Sequence, residues 1–367
     1  MQTPGFEGPH MPNSTIVRRL AVVGSGSLAR SICHSLATGD TPIRVSVLAR
    51  NGPAVEEIVR GCRARASADP GRVWFTGEVL HDPEEALGRL RPDVLVCAAS
   101  AQSPYERVSN PSPWTQLVER GGFGVTLPFQ AAIVSRLAAA IPVASPDTLL
   151  VNGCFPDAVN PLLTALGLRV HCGIGNVATL AVGLQTALDL PNQHELAVLG
   201  HHTQLSAPSP GVEDVRAWLG GVPVADTGAL LARARALPRR ELNAMSGYAA
   251  ARLLTELLAG KEIRTSLPGP LGLPGGYPVR LAGSSIALNL PPGVDRAEAI
   301  AWNTRAGLRD GVDIVGGRVW YAPRTATELE RYLPEIAQGW PVAALDEVRV
   351  ELEAVRRRLR LAQPVQV

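Results

Sequence analysis

The stretch Ile16-Val-Arg-Arg-Leu-Ala-Val-Val23, followed at once by Gly24-Ser25-Gly26-Ser27-Leu28-Ala29, decides the fold of this chain. The first eight residues form a short β-rich run, and an apolar helical pattern sets in at Leu28 and continues to Leu36. Glycines at 24 and 26 and a small residue at 29, set between a strand and a helix, form a cradle for a diphosphate. Gly24 permits the tight turn, Gly26 lets a pyrophosphate approach the backbone, and Ala29 lets the helix pack on the sheet. The N–H groups of the helix start are left for the anion. Gly24, Ser25, Gly26, Ser27 and Leu28 are therefore the expected cofactor-binding residues. In such sites an acidic residue about twenty positions on holds the ribose of NAD. Here the second strand, Ile43 to Leu48, runs into Ala49-Arg50-Asn51 with no Asp or Glu beside it, so Arg50 is the expected partner of a 2′-phosphate. This favours NADP over NAD and leaves both open.

Working outward, strands are expected at 73–76, 93–97, 148–151 and 168–172, separated by helices at 53–65, 83–90, 129–140 and 156–166. Six strands alternating with helices predict an α/β fold, a doubly wound parallel Rossmann sheet over residues 16–175. Ligands bind such sheets at the C-terminal ends of the strands. The Gly-rich turn, Arg50, the turn Ala98-Ala99 after the fourth strand and Asn152 after the fifth all fall there. Beyond Gly175 the pattern changes to helices at 178–188, 212–219, 229–236, 241–258, 296–309 and 343–361, with a strand or hairpin at 279–290. Residues 176–367 are expected to form an α+β substrate and oligomerisation domain, and residues 1–15 a loose tail.

Composition excludes several classes. Apolar residues make up 46% and charged residues 19%, enough for a large core and inconsistent with disorder. The net charge of +2, with no basic block, argues against a nucleic-acid partner. Lys261 is the only lysine, so amine-based covalent catalysis has a single candidate. An odd number of Cys without a Cys-x-x-Cys pair fits a reducing compartment. The N-terminus has no apolar core of a signal peptide, and the apolar stretch 123–144 is interrupted by Arg136 and Pro142, so the expectation is a cytoplasmic protein without a membrane span.

From these motifs the chain resembles the lactate/malate dehydrogenase family over residues 18 to about 210. The Ala98-Ala99 turn is similar to the family's Ala-Gly turn, and the segment with Pro104 and Arg107 to its substrate-closing loop. Asn152 is similar to its Asn-Pro turn. Leu199-Gly200-His201-His202-Thr203-Gln204 resembles the segment that carries its catalytic His. The resemblance implies His202 as the acid/base, Asn152 as the residue placing the substrate carbonyl and nicotinamide, and Arg107 as the group polarising the carbonyl. Imidazole suits proton transfer because it titrates near neutrality. His201 is the alternative to His202. Thr179 stands where the family has the Asp that orients its His, and Val182 where it has the Arg that clamps a carboxylate, so lactate and malate are not the implied substrates. The implied activity is an NAD(P)-dependent oxidoreductase acting on a carbonyl/hydroxyl or imine/amine centre of another small molecule, in a homo-oligomer.

A second resemblance, to the NAD- and manganese-dependent glycosidases, rests on Cys172 and His202, thirty residues apart, as metal ligands. It implies a metal-dependent glycosidase-like or lyase reaction. A protein that binds nucleotide without turnover is the third reading. Asp157, early in a helix, complements that helix's dipole or substitutes for the missing carboxylate beside His202.

Overall fold

A computed structural model of the protein describes residues 17–68 and 72–362. The loose tail expected at 1–15 lies outside the described residues. Parallel strands β1 (Arg18–Val23), β2 (Ile43–Ala49), β3 (Val73–Val79), β4 (Val94–Cys97), β5 (Leu149–Asn152) and β6 (Cys172–Gly173) form one sheet in the order β3-β2-β1-β4-β5-β6. This is the doubly wound Rossmann order, whose switch point lies between β1 and β4.

Alternate residues of β1 serve opposite faces, the period-two signature of a strand. Leu20 and Val22 join the apolar cluster that holds helix α1 (Ser27–Leu36) and helix α2 (Gly52–Ala66). Ala21 and Val23 join the cluster on the other side. A sheet covered on both faces needs apolar residues at both parities, which is why β1, β4 and β5 read as continuous apolar runs. Helix α3 (Pro83–Leu90) leads into β4, and β4 and β5 are joined through the short helix α4 (Glu106–Ser109), α5 (Pro113–Gly121) and α6 (Leu127–Ala144). The apolar stretch 123–144 is long and apolar enough to cross a membrane, yet Phe129, Val134, Leu137 and Ile141 are buried in the core.

Helices α7 (Pro156–Ala165) and α8 (Val177–Ala187) flank β6. Beyond them come α9 (Thr227–Arg235), α10 (Arg239–Leu258) and α11 (Arg296–Asp310), with three small antiparallel sheets. Ala250, Leu254 and Leu257 of α10 extend the α1 face of the large sheet, and Val348 and Leu352 of the last helix, Leu345–Leu361, extend the α6 face.

Two expectations are corrected. Residues 212–219 are not a helix: Arg216–Leu219 is a strand paired antiparallel with Leu196–Leu199. Val212, Val215 and Trp218 recur at helical spacing, but Val215 and Ala217 are drawn into an apolar cluster with Leu196, Val198 and α8. The sixth strand is confined to Cys172–Gly173, paired with Val151 and Asn152 of β5, and the His171 N–H bonds to the Leu150 carbonyl just before it.

His171, which enters β6, is buried, and burial pushes its imidazole down from 6.5 to about 4. The unfolded chain therefore takes up a proton near pH 6.5 that the folded chain refuses until near pH 4. Its contribution to stability is complete above pH 6.5 and is lost on acidification toward pH 4. Between pH 7 and pH 4.5 this loss amounts to about 2.5 kcal/mol. Chemical denaturation of wild type and His171→Gln at both pH values should show a smaller acid loss in the variant, by about that amount. Equal losses would refute the assignment.

Candidate functional site

The C-terminal ends of β1, β2, β4 and β5 open into a cleft of about 1870 Å³. This exceeds the ~300–1,000 Å³ of ordinary single-ligand pockets. Gly24, Ser25, Gly26, Ser27, Leu28, Arg50, Ala98 and Ala99 all line it. Gly24 has φ +134°, and a Cβ there would lie 2.6 Å from the Ala98 carbonyl oxygen, so only glycine lets β1 turn beside β4. Gly26 is different. It is the N-cap of α1 with ordinary extended backbone and no side-chain cap, and a Cβ there would meet nothing within 4 Å. The first N–H groups of α1 have no acceptor within the helix, so the cradle is open toward the cleft.

Asn243 of α10 closes one side of the cradle. Its Nδ2 donates to Ser27 Oγ at 3.1 Å, and its Oδ1 accepts from the Tyr105 hydroxyl at 2.6 Å. At the end of β2, Arg50 is exposed on the cleft wall with no ion pair among the described residues. The carboxylates that line the cleft, Glu106, Glu119, Asp310 and Asp346, all belong to other segments.

At the opposite end of the cleft stands His202, in contact range of Phe123 and Phe155, whose ring centroids lie 5.5 and 5.2 Å from its own. Its Nδ1 is 3.1 Å from Oδ2 of Asp310, the last residue of α11. His201 is 1% exposed, does not line the cleft, and is held below its usual value chiefly by burial. Of the two histidines, His202 is the one that faces the cleft.

Asp157 meets the His segment at the backbone. Its Oδ1 accepts the backbone N–H of His202 at 3.1 Å, and its Oδ2 accepts from Asn176 Nδ2. It therefore ties the start of α7 to the start of α8 and to the His segment. Thr179 lines the cleft, its hydroxyl 2.7 Å from that of Ser246.

Other expected residues are placed differently. Asn152 is fully buried and does not line the cleft. Its Nδ2 donates to the Cys154 carbonyl and to Asn160 Oδ1, and its Oδ1 accepts from the Cys154 N–H. With amide oxygen and nitrogen both engaged inward, its side chain fixes the turn after β5 and is not turned into the cleft. Arg107 reaches the cleft rim, but its guanidinium is paired with Glu119 at 2.8 Å. The neighbouring Glu106 is buried against Arg356 at 2.8 Å and Arg360 at 3.3 Å of the last helix, so the 104–107 segment is tied down. Breaking such a buried pair costs about 3–5 kcal/mol. The pair of Cys172 and His202 is not formed: Cys172 lies in the apolar core off the cleft, and burial pushes its thiol up to about 12.

Asp310, Asn243, Phe123 and Phe155 are site residues that sequence reasoning missed. Asp310 carried one signal. It is an acidic residue in the last turn of a helix, where the dipole disfavours it, immediately before Gly311.

Comparison with solved structures adds the fold. A lactate dehydrogenase, MGS-M5, from a Medee basin deep-sea metagenome library superposes with a TM-score of 0.56 at 15% identity, over 80% of this chain and 98% of that one. The malate dehydrogenase of Picrophilus torridus gives 0.54 at 14% identity, over 80% and 96%. The chain has the lactate/malate dehydrogenase fold. The malate dehydrogenase of Aeropyrum pernix shares that fold too, with a TM-score of 0.51 at 17% identity over 79% of this chain. No protein-family model matches the sequence, and no curated protein matches it. Thr179 lines the cleft and Val182 does not.

Proposed function

We propose that this protein is an NAD(P)-dependent oxidoreductase acting on a carbonyl/hydroxyl or imine/amine centre of a small molecule. The observation that carries this reading is the open Gly26 position, at the start of a helix whose first N–H groups face a cleft that continues to His202. A dinucleotide fits the residues present. The amides of Ser25 to Leu28 would hold its diphosphate, and the wall at Ala98 and Ala99 would support its ring. When bound, the nicotinamide supplies or accepts the hydride. His202 would hand a proton to the substrate heteroatom, or take one from it, through the ring nitrogen not turned to Asp310. Phe123 and Phe155 would keep water from the reacting atoms. Val182 offers no carboxylate clamp, so the substrate is not bound as lactate or malate are expected to be. A homo-oligomer forms part of this reading, and light scattering on the purified protein tests it.

Titration with NADH, NADPH, NAD and NADP, followed by protein fluorescence and calorimetry, tests the cofactor. Saturable binding is expected, and no binding of any of the four would end the proposal. Binding followed by activity of His202→Ala equal to wild type on the best substrate of a carbonyl and imine panel would remove His202's role. The adenosine end gives a sharper result. Arg50 supports the 2′-phosphate reading because a guanidinium there meets no competing carboxylate. Arg50→Ala should weaken NADPH about 10- to 30-fold, the ~1.5–2 kcal/mol of a charge-assisted hydrogen bond, and leave NADH within about twofold. Equal weakening of both nucleotides would argue against that assignment.

A further inference from the structure

We infer that Asp310, supplied from the far end of the chain by α11, is the residue that fixes the tautomer of His202 and balances the charge it gains on protonation. This rests on the reading of His202 as the proton carrier. It assigns to Asp310 a positioning role that this fold's resemblance would have placed at residue 179, where Thr179 stands.

The geometry is built around Asp310. The His202 Nδ1 to Asp310 Oδ2 separation is 3.1 Å, and the Asp310 side chain is 7% exposed. The backbone N–H of Phe123 also faces the carboxylate. Burial would raise the Asp310 carboxyl, but the charge and hydrogen bond of His202, then His201 and the Phe123 N–H, outweigh it and hold the group below the usual carboxylate range.

Two glycines make the placement possible. Gly122 has φ +99°, and a Cβ there would sit 2.3 Å from the Asp310 carbonyl oxygen. Gly311 has φ +102°, and its Cβ would sit 2.6 Å from the Gly121 carbonyl oxygen. Any other residue at either point would push α11 away from the 121–126 segment. The Thr325 hydroxyl donates to the same Gly121 carbonyl and clamps the junction. Charge and backbone strain are thus concentrated where one carboxylate meets one imidazole.

The consequence is chemical. At 3.1 Å from Nδ1 the ionised Asp310 carboxylate favours a proton on Nδ1 by its charge, so neutral His202 carries its proton there and presents Nε2 as a base. When Nε2 is protonated the imidazolium is paired while Asp310 stays ionised. The other groups around the ring are His201, with centroids 5.7 Å apart, Asp157 at the His202 backbone N–H, and Arg309 beside Asp310 on the cleft wall.

The test uses the full chain labelled with ¹⁵N-histidine and no nucleotide. Above its titration, His202 should show the Nδ1–H tautomer in wild type, and Asp310→Ala should shift it to a form rich in Nε2–H. A wild-type Nε2–H tautomer, or an Nδ1–H tautomer that persists in Asp310→Ala, overturns the inference. If Asp310→Ala does not fold, His202→Gln reads the same contact from the other side. The Asp310 carboxyl, followed by ¹³C, should then titrate about one pH unit or more higher than in wild type. An unchanged titration overturns the inference equally. Because both spectra are taken without nucleotide, their failure is distinct from a failure of the pyridine-nucleotide titration.

Discussion

Gly26→Asp should abolish dinucleotide binding while leaving the protein slightly more stable. The two effects have separate causes. Gly26 is the N-cap of α1, at φ −76° and ψ −177°, a conformation open to any residue, and its Cβ would meet nothing within 4 Å. Asp is among the best N-cap residues, because its carboxylate accepts from the free N–H groups of the first turn, and it should gain a few tenths of a kcal/mol over Gly. Those same N–H groups are the ones a diphosphate needs. A carboxylate added beside a bound phosphate would also repel it, by about 4 kcal/mol if the charges were about 4 Å apart at an effective dielectric near 20. Binding of NADH and NADPH should therefore weaken by at least about 100-fold, with an unfolding midpoint equal to or above wild type. Calorimetry and denaturation on one preparation measure both quantities. Retained affinity would mean that the diphosphate does not use this cradle. Lost stability would mean that the helix start is not as open as the geometry has it.

The parts of the protein that the sequence made legible are those whose determinants lie close together along the chain. Val23, Gly24, Gly26 and Ala29 sit in one strand–turn–helix, so their joint requirement can be read without knowing what packs around them. The same holds for the apolar parity of Leu20 to Val23, which implies a sheet covered on both faces. Asn152 was legible in position but not in direction: it ends β5 as expected, but its amide is satisfied by Asn160 one helix later. The strand Arg216–Leu219 was misread because its partner Leu196–Leu199 lies across a 3-10 turn and a loop, and a four-residue strand has too little alternation to outvote an accidental helical spacing. Asp310 could not be found by spacing at all. Its partner is more than a hundred residues earlier, and the contact exists only because Gly122 and Gly311 let two backbones meet.

Gly247 belongs to the same class, and adding a single methyl group there should be damaging. In α10 it reads as an ordinary flaw in a helix, where Gly→Ala is worth about 1 kcal/mol of added stability. In the fold it is where α10 crosses α1. A Cβ on Gly247 would lie 2.1 Å from Ser31 Oγ, 2.4 Å from Ser31 Cβ and 2.9 Å from the Ser31 carbonyl carbon. A rotamer change can move the hydroxyl, but the other two atoms move only if the helices separate. Separation would loosen the Ser31 hydroxyl from the Ala244 carbonyl and draw Asn243 off Ser27. Overpacking of this kind costs about 1–3 kcal/mol, occasionally more. With a backbone atom among the contacts, Gly247→Ala should lose about 2–3 kcal/mol net of the propensity gain. Because α1 carries the cradle on its first turn, nucleotide binding should weaken about tenfold as well, ~1.4 kcal/mol. Two companions separate the contact from the helix. Gly61→Ala in α2, where the nearest atoms are 3.7 Å away, should stabilise by up to about 1 kcal/mol. Ser31→Gly combined with Gly247→Ala removes two of the three close atoms and should recover most of the lost stability. If Gly247→Ala instead stabilises as Gly61→Ala does, α10 does not seat on α1 at this distance, and the support assigned to the cradle goes with it.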